Sequence, residues 1–161
     1  MEWKKGFAPV IDKQSKVLIL GSFPSVKSRE QGFYYGHKQN RFWKMLARFF
    51  NQTVPETVQE RKEFLIKNKV ALWDVIEKSC IDGSSDADIT EQNSVPVDFS
   101  LVLNRYYNIK LIICNGKKAY QIFLKFNPNC AVPSVVLPST SPANGRYDES
   151  LWMEQLKNIF S

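Results

Sequence analysis

The chain of 161 residues lacks the features that mark membrane, secreted or metal-bound proteins. No apolar run approaches the roughly 20 residues of a membrane helix, and residues 1–5 lack the apolar stretch of a signal peptide. Its three cysteines lie far apart, at Cys80, Cys114 and Cys130. This odd, sparse set argues against a disulfide framework or a zinc site, and it falls short of the usual set of about four thiolates around an iron–sulfur cluster. We expect a cytoplasmic protein with no membrane segment and no metal or organic cofactor, in which Cys114 is a core residue.

The composition that is present is that of a globular protein with a basic surface. Apolar residues make up 43% of the chain and charged residues 24%, and the length favours one domain over residues 1–161, which we expect to be monomeric. The net charge of +6 is uneven, because the segment 75–100 has a balance of −5 and the remainder carries +11. A basic body suits a polyanion such as DNA, bound through its phosphates.

Four short apolar runs predict buried strands at 17–20, 70–73, 111–114 and 135–137. Continuous rather than alternating apolar strands, separated by helices, indicate a parallel sheet that is covered on both faces. The predicted fold class is therefore α/β, a three-layer α/β/α sandwich with a central, mainly parallel four-stranded sheet.

The segments between these strands have helical periodicity. Thr53-x-x-Glu56 has the spacing of a capping box, which predicts a helix from there to about residue 68. Apolar residues recur at helical spacing in four other segments, 42–50, 99–106, 119–126 and 152–159.

Small and polar residues follow each predicted strand. They are residues 21–25, Asp74, Asn115 with Gly116, and residues 138–145. Sheets of this class bind ligands outside the carboxyl ends of their strands, where the strand order reverses, so we expect these residues on one rim. The two loops rich in glycine, proline and serine suit contact with DNA phosphates. Each loop alone is more typical of a tight turn, and it is the pair on one sheet that favours the DNA contact. A rigid Pro-Ser-Thr-Ser-Pro loop is suited to entering a groove while a base swings out.

Three segments, in family order, resemble motifs of the uracil-DNA glycosylase superfamily. Residues 21–25 (Gly-Ser-Phe-Pro-Ser) are similar to its first motif, a Gly-x-x-Pro loop. Residues 35–43 (Tyr-Gly-His-Lys-Gln-Asn-Arg-Phe-Trp) resemble a stretch of mismatch-specific uracil/thymine glycosylases, and residues 138–144 resemble the second motif, which carries the minor-groove loop. The likeness runs from about residue 6 to 160 and is greatest to the hypoxanthine-DNA (deoxyinosine) glycosylase branch.

The resemblance implies a role for each of a set of residues. Asn40 is the expected catalytic residue, and no metal takes part. The base would be bound by Tyr35, Phe23, Ser22 and Asp74, with the Tyr35 ring as a stacking platform, a role open also to its neighbours Phe33 and Tyr34. The DNA would be contacted by Ser25, Lys27, Ser139, Thr140, Ser141 and Asn144.

Two positions depart from the family pattern. Phe23 stands where strong uracil enzymes carry Asp or Asn to orient the attacking water. Leu137 stands where relatives carry His or Asn as a donor to the leaving base, and losing such a donor typically costs about 3–4 kcal/mol. Both departures favour a substrate other than ordinary uracil, such as a purine whose N7 can be protonated.

Several of these residues have an alternative structural interpretation. Asn40 is also a favoured helix cap, a core position is the alternative for Tyr35, and Asp74 either meets the N1–H of hypoxanthine or caps the next segment. His37, the single histidine, matches a position that is structural or DNA-facing in the family.

The basic residues and one long loop leave further alternatives open. Residues 115–118 either cradle a phosphate or form a strand-to-helix turn, and Arg41, Lys44 and Arg48 either follow the DNA backbone or form a solvated face. The long polar loop at about 77–96 is expected to line the base pocket.

The sequence therefore predicts a monofunctional DNA glycosylase that flips a deaminated base, hypoxanthine in first place, out of double-stranded DNA and leaves an abasic site. A G:U/G:T mismatch-specific uracil/thymine glycosylase is the alternative within the superfamily. A non-catalytic DNA-binding module of the same fold is the alternative from another class. An α/β hydrolase is disfavoured because the chain has no Gly-x-Ser-x-Gly elbow.

Overall fold

A computed structural model describes residues 3–80 and 93–161 of the chain. Its strands are β1 (Lys4–Lys5), β2 (Val17–Gly21), β3 (Val70–Asp74), β4 (Ile76–Ser79), β5 (Ser94–Pro96), β6 (Leu111–Asn115) and β7 (Ser134–Leu137). Its helices are α1 (Val26–Gln31), α2 (Phe42–Phe50), α3 (Val58–Lys67), α4 (Phe99–Arg105), α5 (Lys117–Phe126) and α6 (Glu149–Phe160). Within this described part, no helix is both long and apolar enough to span a bilayer.

The central sheet has four parallel strands in the order β3-β2-β6-β7. Each of its strands lies within one residue of a predicted apolar run, so the predicted fold class is confirmed. Side chains of a strand point alternately to the two faces of a sheet, and here both faces are covered. Val17 and Ile19 of β2 pack in one core with α2, α3 and α6, whereas Leu18 and Leu20 pack in a second core with α4 and α5.

A second, smaller sheet was not predicted. Strands β1, β4 and β5 pair antiparallel in the order β1-β4-β5. Of these, β4 and β5 occupy the two flanks of the polar loop that was expected to line the pocket. Residues 81–92 of that loop lie outside the described residues, and its described flanks form strands instead of lining the cavity described below.

The predicted capping box was placed four residues too early. Helix α3 begins at Val58, and Thr57 caps it: its hydroxyl accepts the Glu60 backbone N–H at 3.0 Å, while the Glu60 carboxylate accepts the Thr57 N–H at 3.0 Å. The chain contains the Thr-x-x-Glu spacing twice in succession, so the local signal alone could not choose between the two positions. The second one puts Phe64 into the core.

Cys114 is a core residue, as predicted. It lies on β6, fully buried in the second core, and burial raises the pKa of its thiol to about 12. The thiolate that nucleophilic chemistry requires is therefore disfavoured near neutral pH.

The strand order places a binding site at one edge of the sheet. The first long strand, β2, lies between β3 and β6, so the chain order reverses at β2. Gly21 is paired with Asp74, and Asn115 with Leu137, which brings the carboxyl ends of all four strands to one rim. A crevice at such a reversal is where ligands bind in open α/β sheets.

Candidate active site

A cavity of about 560 Å³ opens at this rim. Residues from the segments 21–25, 35–40, 74 and 138–144 contribute to its wall, as the sequence predicted. The predicted site residues that line it are Ser22, Phe23, Ser25, Lys27, Tyr35, Asn40, Asp74, Ser139, Thr140 and Ser141. Asn144 lies instead in an adjoining cavity.

Tyr35 adopts a backbone conformation that is unusual for a bulky residue. Its φ is +52°, in the left-handed region, where a non-glycine residue costs of order 1–3 kcal/mol. Neighbours on both sides hold it there: the Tyr34 carbonyl accepts the indole N–H of Trp43 at 3.0 Å, and the Gly36 N–H donates to the buried Ser28 hydroxyl at 3.1 Å. The Tyr35 ring packs against Phe42, with centroids 4.3 Å apart, and also lines the cavity.

Phe33 and Tyr34, the alternatives considered for the stacking role, are core residues. Both are almost fully buried in the first core. The Tyr34 hydroxyl donates towards the carbonyls of Phe7 and Ala8, at 3.0 and 2.9 Å. Of these three aromatic residues, Tyr35 is therefore the one whose ring is least committed to the core.

The floor of the cavity holds a phenol next to a carboxylate. A Cβ atom added to Gly21 would lie 2.6 Å from Asp74 Oδ1 and 3.1 Å from the Tyr35 hydroxyl, so only glycine lets both oxygens approach β2 this closely. The Tyr35 hydroxyl is buried and completes no hydrogen bond of normal geometry within the described residues. Burial, and then the charge of Asp74, raise the pKa of Tyr35 far above its ordinary value. The phenol is thus a neutral hydrogen-bond donor at any physiological pH.

Asn40 lies directly before Arg41, the N-cap residue of helix α2, and its side chain caps the first N–H of that helix. It lines the cavity as well, so the two interpretations considered for it are compatible. Its Oδ1 accepts the backbone N–H of Phe42 at 3.0 Å, and its own N–H donates to the His37 carbonyl at 2.9 Å. The cap fixes the amide plane. One lone pair of Oδ1 and both hydrogens of Nδ2 remain for a ligand.

Asn115 was expected on the rim but was given no role towards the base, and the structure puts it in the cavity wall. Its Nδ2 donates to Thr140 Oγ1 and its Oδ1 accepts the Thr140 N–H, each at 3.0 Å. Thr140 is 0% exposed, so its predicted DNA contact does not fit the structure: the side chain is enclosed and holds the loop to β6. The signal for Asn115 was its place directly after a strand, the same signal that singled out Asp74.

The first motif loop is built around serine hydroxyls. Ser25 caps α1 by accepting the Ser28 N–H at 3.0 Å, and Ser28 in turn binds Gly36, which ties this loop to the Tyr35 segment. Phe23 is 6% exposed and packs in the second core, which leaves it an edge on the cavity and no polar atom there. Lys27 is exposed and lies 3.4 Å from Glu30.

The serine-rich loop is folded by its own hydrogen bonds. Ser139 Oγ accepts the Ser141 N–H and Ser141 Oγ accepts the Ala143 N–H, each at 3.2 Å. Asn144 Nδ2 donates to the Ser139 carbonyl at 2.9 Å, and the indole of Trp152 donates to the Pro138 carbonyl at 2.8 Å. The loop is therefore a preformed, stiff projection beside the cavity.

Arg41 and Arg48 act within the protein rather than as a free basic face. Arg41 Nη1 donates to the carbonyls of Ser141 and Asn144, both at 3.1 Å, and its guanidinium lies 4.8 Å from the Tyr147 ring centroid. Arg48 pairs with Glu149, which lowers the pKa of that carboxyl. Of the three cations considered for either a DNA-facing or a solvated helix face, Lys44 remains exposed without such a contact in the described residues.

The adjoining cavity, of about 620 Å³, is rimmed by cations. Lys117, Lys118 and Arg146 surround it, and it shares Asn115, Ser139 and Ser141 with the first. Gly116, with φ at +99°, caps α5 between the two cavities. Of the candidate phosphate cradle at 115–118, Asn115 lines both cavities, whereas Gly116, Lys117 and Lys118 line only the second.

Comparison with known proteins agrees with this geometry. A sequence model described as the Uracil DNA glycosylase superfamily matches residues 8–158. The chain belongs to the uracil DNA glycosylase superfamily. The resemblance inferred from its three motifs is thereby confirmed.

Individual members of the superfamily match over nearly their whole length. A hypoxanthine DNA glycosylase of Methanosarcina barkeri is 35% identical over 96% of this chain and 98% of its own. One from Methanosarcina acetivorans is 34% identical over 92% and 95%. The solution NMR structure of a candidate uracil DNA glycosylase from Methanosarcina acetivorans superposes with a TM-score of 0.81 at 31% identity, covering 98% of this chain and 99% of that one.

The two positions that depart from the sequence pattern of the uracil DNA glycosylase superfamily both lie at the site. Phe23 and Leu137 both stand on the rim, and both are nearly buried. Polar groups that face the cavity come instead from Tyr35, Asp74 and Asn40, on other segments of the same rim.

Proposed function

We propose that this protein is a monofunctional DNA glycosylase that hydrolyses the N-glycosidic bond of a deaminated base, hypoxanthine in first place, in double-stranded DNA. The observation that carries the proposal is the cavity floor, where a buried neutral phenol lies beside a carboxylate. Membership in the superfamily and the named relatives support the reaction class.

The hydrogen-bonding groups of the floor, one donor and one acceptor, are complementary to the edge of a deaminated base. Deamination converts the amino group of adenine to a carbonyl and places a hydrogen on N1. In the proposed complex the Tyr35 hydroxyl donates to O6 of hypoxanthine, and Asp74 accepts its N1–H. Adenine offers the reverse pattern, an amino donor and an N1 acceptor, which would leave buried polar groups unpaired. Such mismatches reject a ligand far more strongly than a missing methylene does.

The same pattern extends to uracil, since deamination of cytosine also creates a carbonyl next to a ring N–H. Discrimination between hypoxanthine and uracil must therefore come from the leaving-group chemistry and from the fit of a purine in about 560 Å³. A cavity of that volume lies within the usual range of small-molecule sites, roughly 300–1,000 Å³.

Asn40 is the proposed catalytic residue. Its cap bond to Phe42 fixes the amide, and the second lone pair of Oδ1 accepts a hydrogen of the water that attacks C1′. Positioning a reactant in this way removes part of the entropic barrier to reaction. Phe23, with no polar atom, does not take this role.

The DNA backbone is proposed to run across the rim. Ser25, Ser139 and Ser141 lie at the mouth of the cavity, and Asn144 lies with Lys117, Lys118 and Arg146 beside the second cavity. Cations of this kind bind phosphates with release of counterions. The stiff 138–144 loop suits entry into a groove as the base leaves the stack.

A panel of duplex oligonucleotides, each with one modified base, tests the proposal. Base release is scored as alkali-labile abasic sites for hypoxanthine, uracil, a G:T pair and adenine. We expect hypoxanthine to be released fastest and adenine to persist. Asp74→Leu, which keeps a side chain of similar size but has no acceptor for the N1–H, should lower hypoxanthine release at least tenfold. Release of uracil or thymine alone would favour the mismatch enzyme, and binding without release of any base would favour the non-catalytic module.

A further inference from the structure

The imidazole of His37 is held in one orientation by the turn before helix α2. Its Nδ1 accepts the backbone N–H of Gln39 at 3.0 Å, and its carbonyl accepts the backbone N–H of Asn40 at 2.9 Å. Because Nδ1 is an acceptor, the hydrogen of the neutral ring lies on Nε2. The ring therefore presents a hydrogen-bond donor at its far end.

That donor is available to a ligand in the cavity. His37 is half-buried and lines the cavity together with Asn40. Within residues 3–80 and 93–161, Nε2 makes no hydrogen bond. The lysine at the cavity edge, Lys27, is in contrast exposed, and its side chain lies 3.4 Å from Glu30. Of the two, His37 is the one that the backbone fixes in place.

Base excision creates a requirement for such a donor. When a glycosidic bond breaks, negative charge develops on the leaving base, and one positioned donor to such charge is typically worth about 10²–10³ in rate. Across the rim, Leu137 ends β7 with a side chain that has no polar atom. The Asn115 amide is held in place by Thr140, which takes one hydrogen of Nδ2 and one lone pair of Oδ1.

We infer that His37 is a further catalytic residue of the excision proposed above, as the hydrogen-bond donor to the departing base; the inference rests on that proposed function. The C1′–N9 bond breaks and its electron pair leaves on the purine, while Nε2–H donates to an acceptor atom of that purine. The oxygen of water bonds to C1′, and the proton that the water loses passes through solvent to the purine. The imidazole keeps its hydrogen, since Nδ1 is occupied by Gln39 and the ring is not set to relay a proton.

Two substitutions of His37 test separately the hydrogen bond at Nδ1 and the donor at Nε2. His37→Asn places an amide oxygen close to the position of Nδ1, so it can keep the bond to Gln39 while it lacks the far donor. His37→Gln places an amide N–H close to the position of Nε2, so it restores a donor there. A structural role of the turn would tolerate the first change better than the second, whereas the proposed role requires the opposite order.

The experiment measures single-turnover release of hypoxanthine at saturating enzyme, together with the Kd for a duplex that contains a non-cleavable 2′-fluoro-arabino inosine. We expect His37→Asn to lower the rate about 10²-fold, with Kd changed less than threefold, and His37→Gln to recover at least a tenth of the wild-type rate. The deficit of His37→Asn should shrink to less than tenfold with 2-fluorohypoxanthine, because the fluorine stabilises the leaving anion and reduces the need for a donor.

Three results would overturn the inference. They are an unchanged rate in His37→Asn, a weaker Kd with an unchanged rate at saturation (which would make His37 a phosphate contact), and a deficit that is equal for both leaving bases. Failure of the proposed function is a separate outcome, in which the wild-type protein itself releases no base from either duplex.

Discussion

Both ends of the Asn115 amide are hydrogen-bonded to a single residue, Thr140. Nδ2 donates to the Thr140 hydroxyl and Oδ1 accepts its backbone N–H, each at 3.0 Å. The pair joins the end of β6 to the loop after β7, 25 positions along the chain. It closes one wall of the cavity with two buried side chains.

Removal of the Thr140 hydroxyl should therefore destabilise the protein. Thr140→Val keeps the shape of the side chain and leaves the Asn115 Nδ2 donor unpaired in a buried site, which we expect to lower the free energy of unfolding by about 1–3 kcal/mol. Thr140→Ser keeps the hydroxyl and serves as the matched control. Urea denaturation gives both values. A valine variant as stable as the serine variant would show that this hydrogen bond is unimportant.

Arg41 should be needed for its geometry rather than its charge. Arg41→Lys keeps the cation but cannot reproduce the grip on the Ser141 and Asn144 carbonyls. A loop displaced by about 1 Å can reduce a rate by up to 10²-fold, so we expect at least a tenfold slower base release at saturating enzyme. Lys44→Ala, on the same helix, should weaken DNA binding and its salt dependence only. Equal, small effects of the two changes on the rate would refute the assignment.

Gly21 is predicted to be irreplaceable for steric reasons. In Gly21→Ala the new Cβ would meet Asp74 Oδ1 at 2.6 Å and the Tyr35 hydroxyl at 3.1 Å, and relief of such overlap costs typically about 1–3 kcal/mol. Gly145→Ala is the control, because a Cβ at that position has nothing within 4 Å. Thermal unfolding and base release should both be impaired in the first variant and unchanged in the second. A fully active Gly21→Ala protein would disprove the proposed floor.

The sequence predicted those parts of the fold that depend on short segments. Apolar runs located β2, β3, β6 and β7 to within one residue, and small polar residues directly after them located the rim. The antiparallel pairing of β1 with β4 carries no such signal, since β1 is two exposed lysines that are joined to residues more than 70 positions away.

The individual roles of site residues were harder to predict because they depend on long-range contacts. Arg41 appeared to belong to a solvated or DNA-facing helix surface, and only folding brings it to carbonyls 100 and 103 positions away. Thr140 looked like another hydroxyl of a DNA-gripping loop until its partner Asn115 enclosed it. The roles of Asp74 and Asn40 stay predictions. Tyr35 was predicted as a stacking platform and is proposed instead to donate from its hydroxyl; all three residues line one cavity.

Alkaline pH should destabilise the protein through Tyr35. Burial first, and the Asp74 charge second, raise its pKa in the folded state, whereas the unfolded chain releases this proton near pH 10.0. The contribution of the protonated Tyr35 hydroxyl to the free energy of unfolding is fully present below pH 10. It is lost as the pH rises above that value, by up to about 1.4 kcal/mol per pH unit. Urea midpoints at pH 8 and 11 should fall less in Tyr35→Phe than in the wild type. Tyr107→Phe, at a ring 68% exposed, should behave as the wild type, and identical losses in all three would exclude Tyr35 as the source.

The central claim is that an extruded base is cut from its sugar by water held at Asn40. Asn40→Asp keeps both the cap on Phe42 and an acceptor for water, whereas Asn40→Ala loses both. The alanine change should also lower helix stability, typically by about 0.5–2 kcal/mol, so unfolding is measured alongside.

The most direct measurement is the amount of free hypoxanthine, identified by mass spectrometry, that each protein releases from a duplex with one inosine. The wild type should release it stoichiometrically. Asn40→Asp should keep at least a tenth of that rate, and Asn40→Ala should be slower by about 10² or more. Free hypoxanthine released at the wild-type rate by Asn40→Ala, or by none of the three proteins, would contradict the account.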